Sequence, residues 1–210
     1  MAEGGWHERD WRALQILGPL LDGPYLPWTE GALRPAALVT IANEIVFGER
    51  RQVVELGAGV STVVLARLMR ERGGRLTSVE HDPDWARVVR SQLELEGLEV
   101  SAHLVEAPLE PSLGDGAPWY GRAALTELPA EGIDLLLVDG PPGYPEEMER
   151  SRYPALPQLA DRLTPGALIV LDDASREGER NVIARWASER PEWEFATIAA
   201  EGIAIGRRAQ

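Results

Sequence analysis

The sequence contains no cysteine, and all of its 21 basic residues are arginine, so lysine is missing too. Without cysteine there is no disulfide, no thiol nucleophile and no Cys-ligated zinc or iron–sulfur centre. Without lysine there is no Schiff-base chemistry on a lysine amine and no phosphate-binding P-loop. Histidine is scarce: His7, His81 and His103 are too few and too scattered for a histidine-rich metal centre. Long apolar runs are missing as well. Stretches such as "LLLV" and "ALIVL" fall far short of the roughly 20 residues that span a bilayer. The N-terminal "MAEGGWHERDW" has no basic region followed by an apolar run, so no signal peptide is expected and the predicted location is cytoplasmic. Positive charge is in deficit, with a formal net charge of −13. A phosphate backbone is repelled on average, which argues against a nucleic-acid substrate.

What is present suits one ordinary globular domain: 210 residues, 44% hydrophobic and 26% charged. Residues 7–22 place Trp11, Leu14, Leu17 and Leu21 at helical spacing. A turn-rich "DGPYLPWTEG" follows, then a second helix from Pro35 to about Gly48. Residues 1–50 therefore form an expected helical cap, and 51–210 the core of a single domain. From Arg51 onward the pattern alternates. Strands are expected at "QVVELG", "RLTSVE", "VSAHLVE", "IDLLLVD" and "ALIVLDD", with helices at 61–72, 83–96, around 149–163 and 177–189. Strands that are apolar along most of their length indicate a parallel sheet covered on both faces. "WEFATIAA" and "IAIGRR" lie too close together for a parallel crossover, so they must form an antiparallel hairpin. The predicted fold is α/β, a Rossmann-like, doubly wound, seven-stranded mixed sheet with an antiparallel C-terminal hairpin and an N-terminal helical cap.

"VVELGAGVST" is a strand that enters a glycine turn and a helix, an arrangement that cradles a nucleotide-like ligand. The third glycine of the dinucleotide fingerprint is missing; Thr62 stands in its place. Glu55 is expected at the lip, two residues before Gly57. A phosphate about 5 Å from it would cost roughly 3 kcal/mol per unit charge at an effective dielectric near 20, and a cation would gain as much. S-adenosylmethionine carries a sulfonium and an ammonium with no phosphate, so it suits such a turn. Glu80 ends the second strand, 23 residues after Gly57. An acid at that offset can accept hydrogen bonds from both ribose hydroxyls.

With "LTSVEHDPDWA", "HLVEAPL", "IDLLLVDGPPG" and "LTPGALIVLDDA", residues 50–206 resemble class I S-adenosylmethionine-dependent methyltransferases. The chain looks most like a small bacterial family with "VEHDP" and "VDGPPG" signatures. The resemblance implies that Glu55, Gly57, Ala58, Gly59 and Ser61 surround the methionine part of the cofactor. It implies that Glu80 holds the ribose with His81 beside it, that Trp85 flanks the adenosine, and that Ala107 and Pro108 lie near the adenine edge. Asp139 would stand close to the amino-acid part.

Methyl transfer needs alignment of nucleophile, methyl and sulfur, and removal of the acceptor's proton if it has one. Asp139 and Asp172 are the candidate bases. Asp139, Asp172 and Asp173 are also similar to the metal site of the catechol O-methyltransferase-like group, and oxygen ligands suit a divalent cation, Mg or Mn. In this chain Asp173 replaces the asparagine of that pattern, and Pro142 stands where its lysine would be. Trp28, Thr29, Trp119, Tyr120, Arg152 and Tyr153 are candidates for the acceptor pocket, with Arg152 able to fix a carboxylate or phosphate of the acceptor, or a neighbouring glutamate. The expected activity is methylation of a small molecule, with oxygen as the favoured acceptor atom. A cofactor-binding protein without turnover and an NAD(P)-dependent oxidoreductase are the competing possibilities.

Overall fold

The structure, a computed structural model, describes residues 8–25, 27–112, 117–144 and 146–208. Helices α1 (Glu8–Leu21) and α2 (Pro35–Phe47) precede the sheet. There follow β1 (Gln52–Leu56), α3 (Val60–Arg72), β2 (Arg75–Glu80), α4 (Pro83–Leu95) and β3 (Ala102–Glu106). A small hairpin, β4 (Leu109–Pro111) with β5 (Pro118–Tyr120), and a short α5 (Arg122–Leu125) lead into β6 (Ile133–Val138). Then come α6 (Ala155–Leu159), β7 (Leu163–Leu171), α7 (Glu177–Glu189), β8 (Trp193–Ile198) and β9 (Ile203–Arg208). The sheet order is β3-β2-β1-β6-β7-β9-β8. All neighbours from β3 to β7 are parallel; β9 runs antiparallel to both β7 and β8. The mixed seven-stranded sheet and its terminal hairpin are as predicted.

The strands are apolar because both faces are covered. In β1, Val53 joins the core beneath α2, α3 and α4, while Val54 and Leu56 join the opposite core with Trp186 of α7. Successive side chains point to opposite faces, so each strand feeds both cores. The order reverses between β1 and β6, and ligands of such sheets bind at the carboxyl ends of the strands near that switch. In the cap α1 and α2 pack on each other and on α3, and the segment between them reaches this end of the sheet through Thr29 and Gly31–Leu33.

Three sequence expectations need correction. Trp11 is 60% exposed; the packed face of α1 is Asp10, Ala13 and Leu17. Asp10 is buried because it pairs with Arg34 and accepts the Ala36 N–H at the start of α2, where a negative charge also suits the helix dipole. The helix expected around 149–163 shrinks to α6, flanked by single turns of tighter helix. Pro154 and Pro157 have no N–H to donate, so the helix can start only at Pro154 with Pro157 in its first turn and cannot extend back to 149. The hairpin loop is 199–202, longer than the expected Glu201-Gly202, because Ile198 accepts the N–H groups of Glu201 and Gly202 and ends β8 early. Among the described residues no helix is long and apolar enough to cross a membrane. His7 lies outside the described residues.

Candidate active site

The site begins with the turn between β1 and α3. Gly57 has φ +93°, and a Cβ there would stand 2.9 Å from the Gly140 nitrogen. Both its backbone angle and the close approach of the β6 end demand glycine. Gly59 faces open space. Beneath the turn, Glu55 is fully buried. Its Oε2 accepts from Thr62 Oγ1 at 2.6 Å and from Ser78 Oγ at 2.7 Å. Thr62 Oγ1 in turn accepts the Gly59 N–H at 2.9 Å. The residue in place of a third glycine thus ties the loop to β1. Burial, against the hydroxyls that favour its ionised form, raises the Glu55 pKa. The expectation of a carboxylate exposed at the lip is therefore wrong for Glu55. It sits behind the loop, on the face that α3 covers.

The carboxylate that does reach the opening is Glu80. Its Oε2 accepts the Ala58 N–H at 3.0 Å, and Oε1 accepts the N–H groups of His81 and Asp82, both at 2.8 Å. His81 Nδ1 lies 2.8 Å from the same Oε1. That hydrogen bond, against burial, raises the His81 pKa. Asp82 caps α4 through the N–H groups of Asp84 and Trp85, as the sequence Asp-Pro at a helix start signals. The cap holds Trp85 so that its indole N–H donates to Ala58 O at 2.7 Å. Glu80 and Trp85 clamp the glycine loop from both sides.

The ends of β6 and β7 carry the aspartates. Oxygens of Asp139, Asp172 and Asp173 all lie within 4.8 Å of one another. Arg152 reaches into this group from the segment before α6. Its Nε donates to Pro141 O at 3.0 Å, Nη1 to Asp172 O at 3.1 Å and Nη2 to Asp139 O at 2.6 Å. It also stands 3.1 Å from Asp173 Oδ2, 3.5 Å from Asp139 Oδ1 and 3.6 Å from Glu179 Oε1. Arg176 adds a second guanidinium 2.6 Å from Asp173 Oδ2. Burial first, then the neighbouring Asp173 charge, pushes the Asp172 pKa up to about 6. Burial and the Asp172 charge raise Asp139 well above its usual range. Their carboxyl groups are hydrogen-bonded to each other, so the two titrate as a pair. Asp172 does not cap α7; Arg176 holds that position.

These elements enclose a cleft of about 310 Å³, within the range of small-molecule sites. Of the predicted cofactor residues, Gly57, Ala58, Gly59, Ser61, Glu80, His81, Trp85 and Asp139 lie on its wall. Ala107 does not. It is fully buried, its N–H donating to Glu80 O, while Pro108 is exposed outside the wall. Asp173 lines the cleft; Asp172 lies behind. Of the acceptor candidates, Thr29, Tyr120 and Arg152 reach the wall. Trp28 packs against the core, and Trp119 is buried within it. Tyr153 faces α7, where it donates to Glu189 and stacks under Arg185. Of the two partners expected for Arg152, the structure shows the neighbouring glutamate, Glu179 at 3.6 Å, and the N–H groups that an acceptor anion would need face protein oxygens. Sequence analysis missed the Gly31–Leu33 wall, Tyr144, Arg176 and the Thr62–Ser78 support of Glu55.

A family model described as "Methyltransferase domain" matches residues 54–174, more than half of the chain. No curated protein sequence matches. Among solved structures, the fold is similar to the SAH-bound methyltransferase PaMTH1 of Podospora anserina, at 13% identity and TM-score 0.65, covering 97% of this chain and 89% of that one. It is also similar to an O-methyltransferase of Bacillus cereus in complex with SAH, at 18% identity and TM-score 0.61, covering 96% and 91%. The O-methyltransferase TomG of Streptomyces achromogenes, solved with SAM, aligns at 18% identity and TM-score 0.59, covering 97% and 91%.

Proposed function

The chain belongs to the methyltransferase-domain family, and from that premise we propose that it transfers a methyl group from S-adenosylmethionine to an oxygen atom of a small molecule. The single observation that carries the cofactor is Glu80. It is 4% exposed, opens onto the cleft, and among the described residues its Oε2 accepts one hydrogen bond, from the Ala58 N–H. That oxygen has capacity left for ribose hydroxyls. The charge of the cleft points the same way. Glu80, Asp82, Asp139 and Asp173 line it, and the facing guanidiniums of Arg152 and Arg176 are both committed to Asp173. A phosphate-bearing dinucleotide would meet these carboxylates; a sulfonium with an ammonium is attracted by them.

When bound, S-adenosylmethionine supplies a methyl group already activated on a positively charged sulfur. The chain's own residues orient and exclude. The Gly57–Gly59 loop offers backbone close to the ligand, and the half-buried Trp85 gives an apolar wall. Asp139 is the proposed base, with Asp172 behind it. Asp172 gives up its proton at about 6 while Asp139 keeps its own longer, so at neutral pH the pair carries a negative charge, and Asp139 can take a proton from an acceptor hydroxyl as it passes its own to Asp172. The raised value suits that task better than an ordinary aspartate would.

A divalent cation does not fit the three aspartates. Asp173 Oδ2 already receives two guanidiniums, Arg152 at 3.1 Å and Arg176 at 2.6 Å. An ion within bonding distance of that Asp173 oxygen would lie no more than about 6 Å from Arg152, a repulsion of roughly 5 kcal/mol at an effective dielectric near 20 that offsets part of the carboxylates' attraction, and it would have to displace both guanidiniums from that oxygen. No step therefore runs through a metal.

Thermal shift tests the cofactor: S-adenosylhomocysteine raises the melting temperature and NAD does not. Incubation with methyl-labelled cofactor and a metabolite extract tests turnover, and transfer of label to a small molecule separates an enzyme from a binding protein. No shift with S-adenosylhomocysteine would refute the proposal.

A further inference from the structure

We propose that Arg152 is a positioning residue that takes the place of a divalent cation at the ends of β6 and β7. The inference rests on the methyltransferase reading of the cleft but follows from a different set of contacts. A metal at such a site does two things: it draws carboxylates from two strand ends together, and it presents positive charge to the acceptor. Arg152 does the first from within the chain. Its guanidinium bridges the carbonyls of Asp139 and Asp172, the first residues after β6 and β7, and a third carbonyl from Pro141. It meets carboxylates of Asp139, Asp173 and Glu179 on its remaining edge. The side chain is 4% exposed. A planar fork with five N–H donors matches this ring of oxygens as an ammonium would not.

Arg152 cannot do the second thing as a metal does. A guanidinium has no open coordination position, so it cannot chelate two neighbouring oxygens of one acceptor. The acceptor therefore need not present vicinal hydroxyls. A substrate offering a single hydroxyl to Asp139 satisfies the site.

The test measures Mn²⁺ binding, by calorimetry and by loss of the free-ion electron paramagnetic resonance signal, on the full chain at millimolar Mn²⁺. Melting temperatures of wild type, R152K and R152M are compared in Mn²⁺ and in chelator, each with and without S-adenosylhomocysteine. Wild type is expected to bind no stoichiometric Mn²⁺ and to melt alike in both. R152M, which leaves the carboxylates without their internal cation, is expected to gain Mn²⁺-dependent stability, whereas R152K, which keeps the charge, is not. A purely architectural arginine would give no such gain. One-to-one Mn²⁺ binding to wild type that D173N abolishes would overturn the proposal, as would an R152M no more responsive to Mn²⁺ than R152K. Should R152M fail to fold, the wild-type and D173N comparison decides alone. A wild type that binds Mn²⁺ and still responds to S-adenosylhomocysteine sinks this inference only. A wild type that ignores S-adenosylhomocysteine sinks the functional reading, and the Mn²⁺ result stands apart from it.

Discussion

Replacing Asp172 with Asn should stabilise the protein at neutral pH and not in acid. Asp172 is 6% exposed, and burial followed by the charge of Asp173 moves its pKa from 3.8 to about 6. Between those values the folded protein keeps a proton that the unfolded chain has released. Stability therefore falls as pH rises through that window and stays lower above it. A tenfold change in proton affinity is worth about 1.4 kcal/mol, so the move from 3.8 to about 6 costs about 3 kcal/mol at neutral pH. Asn removes the ionisation while keeping the shape. It gives back about 1 kcal/mol through a poorer hydrogen bond to Asp139. The net gain is about 2 kcal/mol at pH 7.5, or about 4–8 °C in Tm for a domain of this size. At about pH 4 only the small loss remains. The assay is urea unfolding of wild type and D172N across that range at constant ionic strength. A difference that does not change with pH would refute the reasoning, because Asp172 would then hold no extra proton in the folded state.

Three further outcomes follow from contacts elsewhere. Glu80→Gln exchanges an acceptor for a donor at one carboxylate oxygen, and the loss of a charge-assisted bond should weaken S-adenosylhomocysteine binding about 10- to 150-fold by calorimetry. Gly57→Ala forces a side chain into a position with φ +93° and 2.9 Å from the Gly140 nitrogen. It should cost about 1–3 kcal/mol in urea unfolding and abolish the cofactor's thermal shift. Arg67, whose Nε and Nη2 each meet Glu96 at 2.7 Å while Nη1 holds Leu20 O at 2.6 Å, secures α1 and the end of α4 to α3. Arg67→Ala should cost about 3–5 kcal/mol of stability, with S-adenosylhomocysteine affinity in the folded protein unchanged within about threefold.

The sheet was legible because its strands are buried on both faces, which leaves a nearly continuous apolar signature at β1, β6 and β7. The hairpin was legible from chain length alone. The turn at Arg152 was not. Its partners are three backbone carbonyls on the segments that follow β6 and β7, and no local pattern announces that an arginine will be spent on them. Trp11 misled because helical spacing marks a face without saying which face is covered. Asp10, one position earlier, is buried because Arg34 comes to it from 24 residues away.

Glu55 shows a subtler failure, since the needed rule was available. Alternation along β1 puts Val53 and Glu55 on one face, Val54 and Leu56 on the other. Val53 lies in the core beneath α3, so Glu55 had to point there too, where Thr62 and Ser78 receive it. Its distance of two residues from Gly57 put it near the opening in sequence, and the pleat turned it away. Residues just past a strand escape that constraint. Asp139 follows the last residue of β6, and Glu80 closes β2 where the backbone begins to turn, with its carboxylate held by the N–H groups of His81 and Asp82 just after it and of Ala58 from the glycine loop. The negative charge that a sulfonium ligand would meet therefore comes from strand ends, where alternation stops deciding which way a side chain faces.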